Sequence, residues 1–153
     1  MSDFKDVSCG VPQGSILGPL LFIIYINDIQ KCSNLFKFIL FADDTNLFAS
    51  NNNLNDLMSS VNDELVNLNQ WFMANKLSLN VKKTNYILFG RKGKNVQENF
   101  CLSINGIAID RVEFTKFLGV YIDENLNWKK HASEMSSKIS KSIGIMSKVN
   151  YIL

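Results

Sequence analysis

Two carboxylates stand side by side at Asp43-Asp44, between the apolar runs Phe38-Ile39-Leu40-Phe41-Ala42 and Thr45-Asn46-Leu47-Phe48-Ala49. Adjacent aspartates offer hard oxygen donors that could hold a divalent cation. On a straight strand neighbouring side chains point to opposite faces, so two adjacent carboxylates reach one point only where the backbone turns. The pattern predicts a hairpin over 36–50 that turns at the Asp pair and carries negative charge at its tip. Asp is also a favoured turn residue, so a hairpin tip that binds no metal is the plain alternative.

Upstream, Gly10-Val11-Pro12-Gln13-Gly14-Ser15 leads into the apolar run Ile16-Leu17-Gly18-Pro19-Leu20-Leu21-Phe22. Gly14 allows a backbone to approach something flat or bulky, and Ser15 is a candidate N-cap for the helix that follows. An ordinary capped helix with a Pro-Gly entry loop would look the same.

Together, GVPQGSILGPLLFIIYINDI and FILFADDTNLFAS resemble the reverse transcriptase domain of a non-LTR (LINE-type, jockey-like) retrotransposon. Further segments follow in that family's order. NQWFMANKLSLNVKKTNYILFG resembles the helix, turn and strand behind the active site, FTKFLGVYID the primer-grip strand, and Trp128 onward the start of the thumb. The resemblance implies two-metal nucleotidyl transfer with Mg2+ or Mn2+, in which the cations clamp the attacking 3′-hydroxyl and the triphosphate. It makes Asp43 the stronger metal ligand and Asp44 an assisting one. Gln13-Gly14 would touch template and incoming nucleotide, Phe41 would lie beside the primer terminus, and Lys83 would neutralise or protonate the leaving pyrophosphate. A lysine at a helix-to-strand turn is otherwise simply solvated. The implied partners are an RNA template, a DNA primer and deoxynucleotide triphosphates, and the implied setting is intracellular, nucleus or cytoplasm.

One departure from the family bears on activity. A complete palm has a further aspartate, upstream of the Gln-Gly motif, that bridges both metals, and Asp3 and Asp6 are too close to the Gln-Gly turn to occupy that strand. Two carboxylates without the third hold metal weakly and leave the nucleophile unaligned, which removes the main catalytic terms. The expectation is a chain that does not polymerise alone, with an open apolar edge at Phe36–Phe41 that invites self-association or a missing fingers and palm segment. A non-catalytic nucleic-acid-binding remnant is the competing reading.

Composition agrees with a folded piece of about one domain, since 153 residues at 46% hydrophobic can bury a core. The net charge of +2 conceals a segregation. Residues 1–75 carry three basic and eight acidic side chains, for −5, and residues 76–153 carry thirteen and six, for +7. A basic half suits phosphate contacts, or merely a solvated lysine face. Cys9, Cys32 and Cys101 form no Cys-x-x-Cys pair, and a single histidine, His131, rules against a Ser-His-Asp triad or a His-rich metal site. The apolar run from Ile16 to Ile29 follows Asp3 and Asp6 rather than a basic flank. It is closed by Asn27 and Asp28 and is short for a bilayer, so it reads as a buried palm helix with no membrane role.

The expected fold is α+β. An incomplete polymerase palm would span 1–123, with an antiparallel sheet bearing the Asp-Asp hairpin packed on two helices and followed by a β-hairpin region. The start of the thumb helix would span 124–153. Helices are expected at about 15–30, from Leu54 to about Lys76 on an apolar stripe at threes and fours, and from Trp128 to about Val149. Asn85–Phe89 reads as a buried strand, Asn105-Gly106 as a hairpin turn, Phe114–Ile122 as another strand, and Gly90–Asn95 as a basic loop.

Overall fold

The computed structural model describes residues 10–11, 14–90 and 100–149. Asp3, Asp6, Cys9, Gln13 and positions 91–95 of the expected basic loop lie outside the described residues. In chain order the elements are α1 (Leu17–Ile26), a 3-10 turn (Asn27–Cys32), β1 (Lys37–Phe41), β2 (Asp44–Phe48), α2 (Leu54–Ala74), a second 3-10 turn (Val81–Lys83), β3 (Asn85–Tyr86), β4 (Leu102–Ile104), β5 (Ile107–Arg111), β6 (Phe114–Phe117), β7 (Val120–Asp123) and α3 (Lys129–Val149). Helix and sheet are mixed, as an α+β fold requires. The chain divides into two compact units, residues 1–79 with 102–106, and residues 80–101 with 107–153.

The first unit is organised by α2. Its start is fixed by Asn53, whose backbone is extended and whose side chain accepts from the Asn55 N–H at 2.9 Å, satisfying one of the N–H groups that a helix start leaves unpaired. At the other end Lys76 takes φ +53. Leu77 N–H then reaches Phe72 C=O, and Lys76 N–H reaches Met73 C=O. This is a Schellman closure, built on lysine rather than the usual glycine. Between the ends Met58, Leu65, Leu68 and Phe72 are buried. They pack toward β4 and the first 3-10 turn, where Ile29 is fully buried and Phe36, Leu102 and Ile104 complete the core. Buried Ser33 accepts from the Leu35 and Phe36 N–H groups and turns the chain toward β1.

The expectation of a buried helix over 15–30 is corrected. The α-helix covers only Leu17–Ile26 and buries only Ile26, while Leu17, Leu20, Leu21, Ile23 and Ile24 are exposed. A helix apolar on every side needs cover on every side, and α1 packs mainly along the adjoining 3-10 turn, with Tyr25 Oη donating to Asn75 C=O. Ser15 is not its cap either. Ile16 holds the N-cap position in helical conformation with no side-chain hydrogen bond. No helix among the described residues is long and apolar enough to cross a membrane.

In the second unit the ladders are short and separate. β3 pairs with β5 in parallel, through Asn85 and Asp110 and through Tyr86 and Arg111, whereas the Asp-Asp hairpin of the first unit is antiparallel as expected. The expected strand Asn85–Phe89 shrinks to two residues and is at most half-buried. The expected single strand at Phe114–Ile122 is a hairpin, β6 against β7 with Phe117 opposite Val120. Its two-residue turn places Leu118 at φ +46 and Gly119 at φ +90, the paired positive φ of a type I′ turn. Asn105 and Gly106, at φ +52 and +74, adopt the same conformation where the sequence expected it. Asp123 ends β7, and its Oδ1 accepts from Asn125 N, Asn127 N and Asn127 Nδ2. Asn127 Oδ1 in turn accepts from Lys129 N at the start of α3.

Leu68→Ala should cost about 2–5 kcal/mol through the cavity it leaves, lowering the thermal midpoint by several degrees. Val66→Ala, on the exposed face of the same helix, should change it by less than about 0.5 kcal/mol. Thermal denaturation followed by far-UV circular dichroism distinguishes the two.

Candidate active-site hairpin

Five residue pairs run along the β1–β2 ladder, from Lys37 opposite Phe48 to Phe41 opposite Asp44. Only Ala42 and Asp43 reverse the chain. The turn is therefore displaced by one residue from the Asp-Asp position that the sequence suggested. Asp43 occupies the turn itself, whereas Asp44 is the first residue of β2. Of the two turn residues only Ala42 lies at positive φ, +49, a conformation that costs a residue with a Cβ about 1–2 kcal/mol.

The ladder has two unlike faces. Phe38, Leu40, Thr45 and Leu47 are half-buried on one, while Lys37, Ile39, Phe41, Asp44 and Phe48 are exposed on the other. Phe41 is 59% exposed, and because directly opposite residues share a face, its ring stands beside Asp44. Among the described residues neither Asp43 nor Asp44 forms a hydrogen bond or ion pair with a side chain. Both carboxylates are exposed. Their donor chemistry fits a hard divalent cation, but no three His, Cys, Asp or Glu side chains converge among the described residues. The hairpin thus presents two exposed carboxylates at and beside its turn.

The other sequence-predicted residues sit elsewhere. Gly14 has φ +83, and a Cβ there would meet nothing within 4 Å, so backbone conformation rather than crowding calls for glycine. Lys83 ends the second 3-10 turn in the second unit, exposed, with its N–H bonded to Asn80 C=O at 3.0 Å. Thr84 Oγ1 donates to the same carbonyl at 3.0 Å, so the Lys-Thr pair is held by one local turn.

A family model for reverse transcriptase (RNA-dependent DNA polymerase) matches residues 2–122. The chain belongs to the reverse transcriptase family. Its curated relatives include a probable RNA-directed DNA polymerase from transposon X-element of Drosophila melanogaster, 28% identical over 94% of this chain and 16% of that protein. The RNA-directed DNA polymerase from mobile element jockey of the same species is 24% identical over 95% of this chain and 16% of that protein. A third, from transposon BS, is 31% identical over 83% of this chain and 15% of that protein. The chain thus spans about a sixth of the length of the curated relatives it matches. No solved structure gives a significant match.

Sequence reasoning missed Ala42, because nothing in an Ala-Asp dipeptide announces a residue at positive φ. It also passed over Asp123, whose spacing Asp-x-Asn-x-Asn to Asn125 and Asn127 does suggest a side chain that binds its own loop. This reverse transcriptase hairpin should tolerate Ala42→Gly with no loss of stability. Ala42→Val should destabilise it by about 1–2 kcal/mol, since a β-branched residue is strained at that φ. Urea titration of both variants measures the difference.

Proposed function

We propose that this chain supplies the Asp-Asp hairpin of an RNA-directed DNA polymerase palm and the start of its thumb, with Asp43 and Asp44 as ligands of Mg2+ or Mn2+. The observation that carries this is the placement of two unpaired carboxylates at and beside a two-residue hairpin turn, in a chain that belongs to the reverse transcriptase family. A bound divalent cation would polarise the phosphoryl group and stabilise charge on the attacking and leaving oxygens.

The chain's own residues do the rest. Asp43, carried on the turn, reaches beyond the end of the ladder. Asp44 is held by the strand pairing, and the Phe41 ring beside it offers an apolar surface for a primer terminus. On the family resemblance Gln13-Gly14 would touch template and incoming nucleotide, and Lys83 would neutralise the leaving pyrophosphate. The RNA template, DNA primer and deoxynucleotide triphosphates are the partners this reading requires. With two carboxylates the chain alone binds metal weakly and does not polymerise, because the alignment of the nucleophile is missing.

A second reading, nucleic-acid binding without catalysis, is favoured by one surface of the second unit. Phe114, Tyr121, His131 and Trp128 form a chain of ring contacts at 5.9–6.5 Å between centroids. Lys130 Nζ lies 4.5 Å from the Phe114 ring centre, and Trp128 is 68% exposed. Aromatic faces interleaved with lysine suit unpaired bases and backbone phosphates. On α3 the Lys130 ammonium, 2.8 Å from Glu134 Oε1, holds that carboxyl below its usual range.

Paramagnetic line broadening should show Mn2+ binding on the order of millimolar, abolished in the Asp43→Asn, Asp44→Asn double variant. Primer extension on an RNA template should be absent at any Mg2+ concentration. Extension by the purified chain that disappears in Asp43→Asn would overturn the claim of inactivity. Metal-independent, salt-sensitive primer-template binding, with no Mn2+ signal at the Asp pair, would favour the second reading.

A further inference from the structure

Among the described residues β1 pairs only with β2, so its outer edge carries unpaired backbone groups. Which groups these are follows from the register. A two-residue loop is closed by a hydrogen-bonded pair, here Phe41 with Asp44, and such pairs alternate along an antiparallel ladder. Ile39 with Asn46 and Lys37 with Phe48 are then the other bonded pairs. Phe38 and Leu40 direct their N–H and C=O groups away from β2, onto the open edge.

We propose that this edge is the interface with a second copy of the chain, β1 pairing antiparallel with β1 about a twofold axis at Ile39. That register sets Phe38 of one copy opposite Leu40 of the other, which brings the two outward-facing residues together. Four backbone hydrogen bonds form across the axis, and every edge group of Phe38 and Leu40 is satisfied. A register displaced by one residue would instead face these groups with backbone already bonded to β2.

The side chains agree with the same register. On the exposed face Ile39 meets Ile39 of the second copy, and Lys37 of each copy stands opposite Phe41 of the other. The row across the four strands then reads Phe48 and Lys37 of one copy, then Phe41 and Asp44 of the other. Strands lie ~4.8 Å apart, so the lysine ammonium passes over the Phe41 ring toward Asp44, pairing opposite charges at both ends of the interface. The outer edge of β2 is the poorer choice. Its own twofold pairing about Asn46 would keep an equivalent charged row, Phe41 and Asp44 of one copy and then Phe48 and Lys37 of the other, but would replace the apolar centre with two amides. Because the twofold arrangement is isologous, it closes as a dimer. The inference does not depend on the polymerase reading.

Sedimentation of the full chain over a concentration series tests it. A reversible monomer–dimer equilibrium is expected, and Ile39→Lys, which places two like charges on the axis, should raise the half-association concentration at least about tenfold. Register is tested by oxidation. Ile39→Cys should form a disulfide between two copies, since facing Cα atoms in a non-hydrogen-bonded pair lie ~4.5 Å apart. Lys37→Cys, on the same strand, should not, because the two Lys37 positions would be ~14 Å apart along the strands. Peptide mapping separates these links from those of the native cysteines. A chain that stays monomeric throughout overturns the proposal. So does a dimer in which Ile39→Cys links no faster than Lys37→Cys.

Discussion

The constraint on which the candidate site depends is the two-residue closure of the β1–β2 ladder. Once Phe41 pairs with Asp44, only Ala42 and Asp43 remain to reverse the chain, and one of them must leave the ordinary backbone regions. Ala42 does so, at φ +49. The consequence is a division of labour between two carboxylates that are chemically identical. Asp44 inherits the rigidity of the strand pairing, whereas Asp43 projects from the turn. Had both aspartates formed the loop, a type I′ turn would have put both at positive φ. The observed turn strains a single residue.

This also explains why the hairpin was legible in the sequence while its exact turn was not. Moving the loop from Ala42-Asp43 to Asp43-Asp44 shifts the cross-strand pairing by two residues, and side chains alternate with period two. Phe38 and Leu40 would still share a face with Thr45 and Leu47. The hydrophobic pattern therefore specifies the faces and is silent about the loop. The same logic separates the two type I′ turns of the chain. Asn105-Gly106 announces itself by residue type, whereas Leu118-Gly119 interrupts an apolar run whose only cue is one glycine, so Phe114–Ile122 reads as a single strand until the backbone is seen. The α2 stripe was fully readable because twenty-one residues repeat one period. For α1 the periodicity carried no information, since an all-apolar segment predicts burial without saying against what.

Exposure in the first unit is not scattered. It gathers on α1 and on the Ile39–Phe41–Phe48 face of the hairpin, while the compact packing lies between α2, the first 3-10 turn and β4. Isolated exposed leucines need no explanation, but contiguous apolar surface marks contact with something else. The elements that carry the reverse transcriptase motifs are thus the least covered by their own unit. A hairpin proposed to present its carboxylates to a nucleic acid and a nucleotide would have to keep its tip exposed, and its strand edge offers backbone groups that another strand can satisfy.

The charge segregation fits that picture in energetic terms. A cluster of carboxylates gains from a bound divalent cation because the cation removes their mutual repulsion, and an acidic first half of the chain is where such repulsion accumulates. The complementary need proposed for the basic second half is phosphate, whose contacts would release counterions. Neither need is met within the pairs seen, since Arg111 with Glu124 and Lys130 with Glu134 are local and partly solvated, and such bridges contribute little. The two ion pairs are therefore a small part of what holds the fold together, and the proposed outlets for the remaining charge are metal at the hairpin and a polyanion at the aromatic and lysine surface of the second unit.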